Sequence, residues 1–262
     1  IRFLDLLDGD GGFQRYESAA KYHSFVLKEY FGIEPPDIQD SYDKIMEYLN
    51  ILKTYICNTE ELMFEAYEKG TKILFEGAQG ILLDLDHGTY PFVTSSNTVS
   101  GAALCGSGYP LGGVKKITGV FKSYTTRVGD GPFATELFDD ISEAICEKGG
   151  EYGTTTGRKR RVGWADIVDL KRAVMLSGTT DLAMTKADVL CGMEKVLIAE
   201  GRDSANKPIY KEFEGWGEII QAGKYSDLPE NLKKYIEYIE EQLRVPINII
   251  SYGPARRQTI ER

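Results

Sequence analysis

The spacing of apolar residues divides the chain near Gly70. Before that point the period is helical. YESAAKYHSFVLKEYF (16–31) and SYDKIMEYLNILKTYI (41–56) both place apolar residues three and four apart, giving each predicted helix one buried stripe. Asn58 followed by Glu61 resembles a capping box and predicts a further helix, EELMFEAYEKG, closed by Gly70. From Thr71 onward, short apolar runs alternate with glycine-rich loops. KILFEG (72–77) reads as a buried strand entering a glycine-rich region that extends to Gly113, and ITGVFKSYTTRVG (117–129) reads as a second strand. ISEAICEKGG predicts a helix stopped by Gly149, and ADIVDLKRAVMLSG one stopped by Gly178. DLAMT (181–185) is a short apolar strand, KVLIAEG and PIYKEFEG a strand pair, and INIISYG (247–253) the last strand. Between them PENLKKYIEYIEEQLRV is an amphipathic helix with proline in its first turn. Strands alternating with helices predict an α/β fold. Residues 1–70 are expected to form a helical segment packed on the core, continuous with an α/β nucleotide- and substrate-binding region over residues 71–262.

Charge narrows the possible ligands. The net charge is -9 and the pI about 5.0, so a non-specific grip on nucleic acid or an anionic membrane is not expected. The run Arg158–Lys159–Arg160–Arg161 must then be local in purpose. Cys57, Cys105, Cys146 and Cys191 are scattered without metal or redox spacing, which reads as reduced thiols in a cytoplasmic protein. No apolar run approaches the roughly 20 residues that span a bilayer.

Four stretches carry candidate chemistry. In DLAMTKADVL an apolar strand ends in Thr185-Lys186-Ala187-Asp188, at the strand end where open α/β sheets bind ligands. An aspartate there can accept two parallel hydrogen bonds from the ring N–H and amine of guanine, while the lysine stem lies across the base. The bland alternative is an exposed ion pair on a surface turn. In GTTTGRKRR, Thr154, Thr155, Thr156 and Gly157 offer hydroxyls and close backbone approach, and alternate arginines can face one way if the chain is extended. A solvated basic run is the competing reading. In FEGAQG, Gln79 follows a strand end with an amide able to read a purine oxo group, or simply to make a polar turn. LLDLDHGTYPFVTSSNT holds Asp84, Asp86 and His87, read as loop hydrogen-bonding groups rather than metal ligands, and Thr94 to Ser96, placed to meet a phosphate. There is no GxxxxGK[ST] phosphate loop, no GxSxG elbow and no HExxH.

FEGAQGILLDLDHGTYPFVTSSNT, TGVFKSYTTRVGDGPFATEL, GTTTGRKRRVGW, LAMTKADVL and ISYGP, in this order, resemble the adenylosuccinate synthetase family. The resemblance implies a P-loop-NTPase-like, mainly parallel central sheet with flanking helices. It implies a ligase that joins IMP and L-aspartate at the expense of GTP, with Mg2+, on the route to AMP in purine biosynthesis. Gln79, Thr94 and Arg158 would bind IMP, with Gln79 also assisting the chemistry. The loop Thr154, Thr155, Thr156, Gly157, Arg158, Lys159 and Arg160 would close over aspartate. Arg160, Lys186, Ala187, Asp188, Ser251, Tyr252 and Gly253 would bind GTP. A homodimer, in the cytoplasm and without nucleic acid or membrane, follows from the same resemblance. The family's amino-terminal phosphate loop, its aspartate base and magnesium ligand and its histidine have no counterpart here. The chain is therefore expected to be the carboxy-terminal two-thirds of such an enzyme, inactive alone, with no catalytic or metal-binding residue of its own. A non-catalytic purine-nucleotide-binding module is the alternative. Lys159 stands where arginine is common, and Ala187 where a bulkier residue is typical.

Overall fold

The computed structural model describes residues 1–153 and 157–262. They divide into two compact units, Ile1–Glu65 and Ala66–Arg262. The first is helical. It contains α1 (Phe3–Leu6), α2 (Asp10–Phe25), α3 (Ile38–Leu52) and the start of α4 (Thr59–Glu68), so the division falls inside a helix. Its small core is Leu6, Tyr42 and Leu49, with Phe13, Tyr16, Ile45, Met46 and Ile56 packed around them. Phe13 meets Tyr42 edge-on at 4.9 Å, a favoured aromatic geometry. Asp37 caps α3 by accepting from Asp40 N–H at 2.9 Å. Asn58 accepts from the N–H groups of Glu60 and Glu61, so α4 starts where the sequence predicts.

The second unit runs α5 (Gly101–Ser107), β1 (Thr118–Lys122), β2 (Thr125–Arg127), α6 (Asp140–Gly149), β3 (Arg161–Gly163), β4 (Ala165–Asp166), α7 (Ile167–Ser177), β5 (Asp181–Thr185), β6 (Lys195–Arg202), β7 (Pro208–Glu214), α8 (Glu230–Leu243), β8 (Ile247–Ser251) and β9 (Thr259–Glu261). The central sheet has the order β1-β5-β8-β9, with β1, β5 and β8 parallel and β9 antiparallel at the edge. Its middle strand DLAMT is buried along almost its whole length, as an apolar run in a parallel sheet should be. On α8 the stripe Leu232, Tyr235, Ile236, Ile239 and Leu243 is buried in the same core as Met184, Ile247 and Ile250. β6 and β7 form the expected antiparallel pair, with β4 alongside β6 in parallel.

Three expectations need correction. ITGVFKSYTTRVG is two strands, because Ser123 turns the chain out of the β1–β5 ladder and β2 pairs antiparallel with β3 instead. KILFEG forms no strand: among the described residues it joins no ladder, and Leu74 is 91% exposed. An extended run becomes a strand only when a neighbour takes up its N–H and C=O groups. Gly149 is the last residue of α6 rather than its stop; Gly150, at φ 59°, caps it. Gly178, at φ 58°, ends α7 as expected.

Candidate functional site

The carboxyl ends of β1, β5 and β8 lie side by side, and the candidate groups that follow β5 and β8 lie there. After β5 the backbone of Lys186 turns left-handed, at φ 64°. Such a conformation is uncommon outside glycine, and strained backbone concentrates at functional sites. Bonds from neighbouring elements hold the turn. Ser123 Oγ donates to Lys186 O at 2.8 Å, Ala187 N–H donates to Ser251 O at 3.1 Å, and the Trp216 indole donates to Ala187 O at 3.1 Å. Ser123 is itself fixed by Tyr235, whose hydroxyl donates to Ser123 O at 2.8 Å. The Lys186 ammonium donates to Gly149 O at the carboxyl end of α6, where the helix dipole favours a cation. Asp188 presents a buried carboxylate oxygen, Oδ1, with no hydrogen-bond partner among the described residues. Buried acceptors are almost always paired, so this oxygen suits an external N–H donor.

Around β8 the sequence-predicted trio splits by role. Ser251 O takes the Ala187 N–H, and its Oγ donates to Gly253 O at 3.0 Å. The Tyr252 ring is buried and its hydroxyl donates to Ala222 O at 2.7 Å, so its side chain is core. Gly253 leaves space that the Gln258 amide fills: a Cβ there would stand 2.4 Å from that amide and displace it.

The cationic stretch is one side of a hairpin. Tyr152 bridges Lys159, Gly153 N–H donates to Arg158 O at 2.8 Å, and Arg160 N–H donates to Glu151 O at 2.9 Å. Gly157, at φ 63°, donates its N–H to Gly153 O at 2.7 Å. Thr154, Thr155 and Thr156 lie outside the described residues. Arg158 and Lys159 are exposed, whereas Arg160 points inward to Glu151, with Nη1 to Oε2 at 2.8 Å. Arg161 turns to the other side and pairs with Glu136 as well as the carbonyls of Gly129 and Gly131, so it braces the loop and is no ligand group.

Glu151 is the residue that sequence reasoning missed. It is fully buried and accepts from Lys122 at 2.8 and 2.9 Å, from Tyr124 at 2.5 Å and from Arg160. Burial pushes its carboxyl up, but the bonds from Lys122 and Tyr124 and the Lys122 charge outweigh that and hold it below its ordinary value. Burial lowers the Lys122 ammonium, and the nearby charges of Arg160 and Lys186 work in the same direction, against the pull of Glu151. A lone carboxylate between glycines, just ahead of a cationic run, was the available signal. Lys122 and Tyr124 carried none, because they read as ordinary strand residues.

Gln79 and Thr94 sit on a different loop, over residues 77–99. Gln79 is exposed and left-handed at φ 61°; Thr94 is half-buried and its N–H donates to Leu83 O at 2.8 Å. Asp84 organises this loop. Its carboxylate accepts from the backbone N–H groups of Asp86, His87, Thr98 and Val99 at 2.5–3.2 Å. Burial would raise the Asp84 carboxyl, yet these donors together hold it well below the usual carboxylate range. Arg127 ties the loop to β2 through Thr89 Oγ1 at 2.7 Å and Phe92 O at 3.2 Å, and Arg172 of α7 donates to His87 O. Asp84 and Asp86 thus serve loop hydrogen bonds, as expected, and no group of three or more His, Cys, Asp or Glu among the described residues is placed to hold a metal ion.

A mostly parallel sheet with flanking helices, carrying the Lys186–Asp188 turn at its carboxyl edge, is an α/β protein with a P-loop-NTPase-like fold. Within that class the sequence is specific. The adenylosuccinate synthetase family profile matches residues 1–260, and the chain belongs to that family. It is 42% identical over 279 residues to the adenylosuccinate synthetase of Halothermothrix orenii, covering 100% of this chain and 65% of that protein. It is 44% identical over 277 residues to that of a Thermoanaerobacter species, covering 99% and 65%. The fold superposes on fully ligated adenylosuccinate synthetase from Plasmodium falciparum with a TM-score of 0.91 at 35% identity, covering 100% of this chain and 66% of that one. The chain thus spans about two-thirds of the length of its relatives.

Proposed function

We propose that the protein carrying this chain joins IMP and L-aspartate into adenylosuccinate, releasing GDP and phosphate from GTP. The observation that carries this reading is Asp188 Oδ1 at the end of β5, buried without a partner among the described residues, next to Lys186 and the Ala187–Ser251 bond. A carboxylate in that position accepts from the paired N–H donors of guanine, which adenine lacks, and so selects the base of the triphosphate. Arg160, half-buried against Glu151, supplies fixed positive charge towards the triphosphate, and exposed Arg158 supplies it towards IMP. Gln79, on a strained turn, reads the oxo region of hypoxanthine, and Thr94 meets the IMP phosphate. Thr154, Thr155, Thr156, Gly157 and Lys159 close over aspartate, and Ala187 and Gly253 line the guanine pocket through their backbones.

The reaction phosphorylates the 6-oxygen of IMP and then displaces it with the aspartate amine, and catalysis rests on positioning and charge stabilisation. Mg2+ would neutralise charge on the triphosphate. The described residues do not form a site for it, so none of them is given that role. The enzyme acts as a homodimer in the cytoplasm; no helix among the described residues is long and apolar enough to cross a membrane.

Titration calorimetry of the full-length protein with GDP and with IMP tests the reading. Asp188→Asn is expected to weaken GDP binding by about tenfold or more, the effect of one lost charge-assisted bond, and to leave IMP binding within about twofold. Equal losses for both ligands refute the assignment.

A further inference from the structure

A fully buried carboxylate is costly unless each of its oxygens is met. Glu151 meets that condition with groups from three places: Lys122 at the end of β1, Tyr124 just beyond it, and Arg160 across the hairpin neck. It grips Arg160 twice, with its backbone O accepting from Arg160 N–H at 2.9 Å and its Oε2 from the guanidinium at 2.8 Å. Two residues earlier, Gly149 O receives the Lys186 ammonium. There is no room for slack in this segment. A Cβ on Gly149 would stand 2.5 Å from the Tyr124 hydroxyl and 3.1 Å from Glu151 Cγ. Two buried polar atoms, the Arg160 Nε donor and the Asp188 Oδ1 acceptor, have no partners among the described residues.

We infer that Glu151 is the positioning residue for Arg160, and that the segment from Gly149 to Glu151 couples that arginine to the guanine-reading end of β5. The inference rests on the function proposed above. The mechanism is mechanical and electrostatic. Any displacement of Lys186 moves Gly149, which abuts Tyr124 and Glu151, and Glu151 sets where the guanidinium sits. Without the carboxylate, Lys122 and Arg160 would repel each other in a buried space, and Arg160 would leave its place. A mutant cycle measures this coupling directly.

Steady-state kinetics of the full-length protein with GTP, IMP and aspartate would compare Glu151→Gln, Arg160→Leu and the double variant. Each single change is expected to lower kcat by about 100-fold, the scale for losing one preorganised charge-stabilising group, with the KM for IMP little changed. Because Glu151 acts through Arg160, the double variant should fall no more than about threefold below Arg160→Leu alone. Multiplicative losses overturn the inference. An Arg160→Leu protein with unaltered kinetics would instead overturn the assignment of Arg160 to the triphosphate, which is a separate failure. If Glu151→Gln does not fold, Tyr124→Phe decides. It keeps every charge and removes one bond to the carboxylate, so kcat should fall by up to about tenfold at an unchanged KM for IMP. Kinetics identical to the parent would refute the positioning role.

Discussion

Tyr235 offers the cleanest test of how the core sets the site. Its ring is wholly buried on α8, edge-on to Phe213 at 5.3 Å and tilted against Trp216 at 5.4 Å. Its hydroxyl donates to Ser123 O at 2.8 Å, at the point where the chain leaves β1. Tyr235→Phe keeps the ring and its packing, creates no cavity of consequence and leaves one buried carbonyl without its donor. A net hydrogen bond is worth about 0.5–1.5 kcal/mol, and an orphaned buried acceptor costs about 1–3 kcal/mol. The expected loss is therefore about 1–2 kcal/mol, which lowers Tm by about 2–8 °C in a protein of this size. Burial raises the Tyr235 phenol above its ordinary value, so the folded protein keeps it protonated and donating. In the unfolded chain it ionises near pH 10, so the difference between parent and variant should be flat at lower pH and shrink only above about 10. Differential scanning calorimetry between pH 6 and about 11 reads both. An unchanged Tm would mean the hydroxyl is not holding Ser123. A loss on the 3–5 kcal/mol scale of an aromatic-to-alanine change would mean that the packing was not preserved.

Two further outcomes follow from charge and burial. The Asp84 carboxyl lies below its unfolded value, so its stabilisation is fully present above pH of about 4 and is lost as pH falls through the depressed native value. Asp84→Asn places an amide among four backbone donors; urea titrations should show lower stability at neutral pH and a flatter acid limb, and a limb as steep as the parent's would sink the account. Cys57 and Cys105 are exposed, while Cys146 and Cys191 are buried with thiols that burial pushes up. A thiol reagent at pH 8 should label two sites quickly and two only in denaturant, and four equal rates would contradict the fold.

What was legible in the sequence was whatever shows as period or as unusual local composition. The α8 stripe and the buried run of β5 follow from apolar spacing, and the capping of α4 by Asn58 from local chemistry. TKAD at the end of β5 stood out because a strand end is where such residues matter, and Asp188 Oδ1 has no partner there among the described residues. KILFEG misled because an apolar run encodes a preference for extension but not the neighbour that makes a strand. The break between β1 and β2 was invisible, since Ser123 is an ordinary strand residue until Tyr235, 112 positions away, holds its carbonyl. Glu151 was missed for the same reason. Its partners come from 29 and 27 residues upstream and 9 downstream, and no local pattern joins them.

The distribution of charge bears on the polyanionic ligand proposed for this acidic protein. The chain carries a net charge of -9, which repels nucleotides at long range. Yet Lys122, Arg160 and Lys186 converge on the carboxyl edge of the sheet with Glu151 as the carboxylate shared by Lys122 and Arg160, while the third cation rests on a helix-end carbonyl. Salt screens the long-range field within about 8–10 Å, whereas partly buried charges at the strand ends are screened much less. The repulsion thus weakens with ionic strength while the local excess of positive charge persists. A protein built this way should hold nucleoside phosphates with a far shallower salt dependence than a surface cationic patch gives. Nucleotide affinity that collapsed between 50 and 200 mM salt, as phosphate-backbone binding does, would argue that exposed Arg158 and Lys159, rather than the Glu151-braced Arg160, carry the attraction.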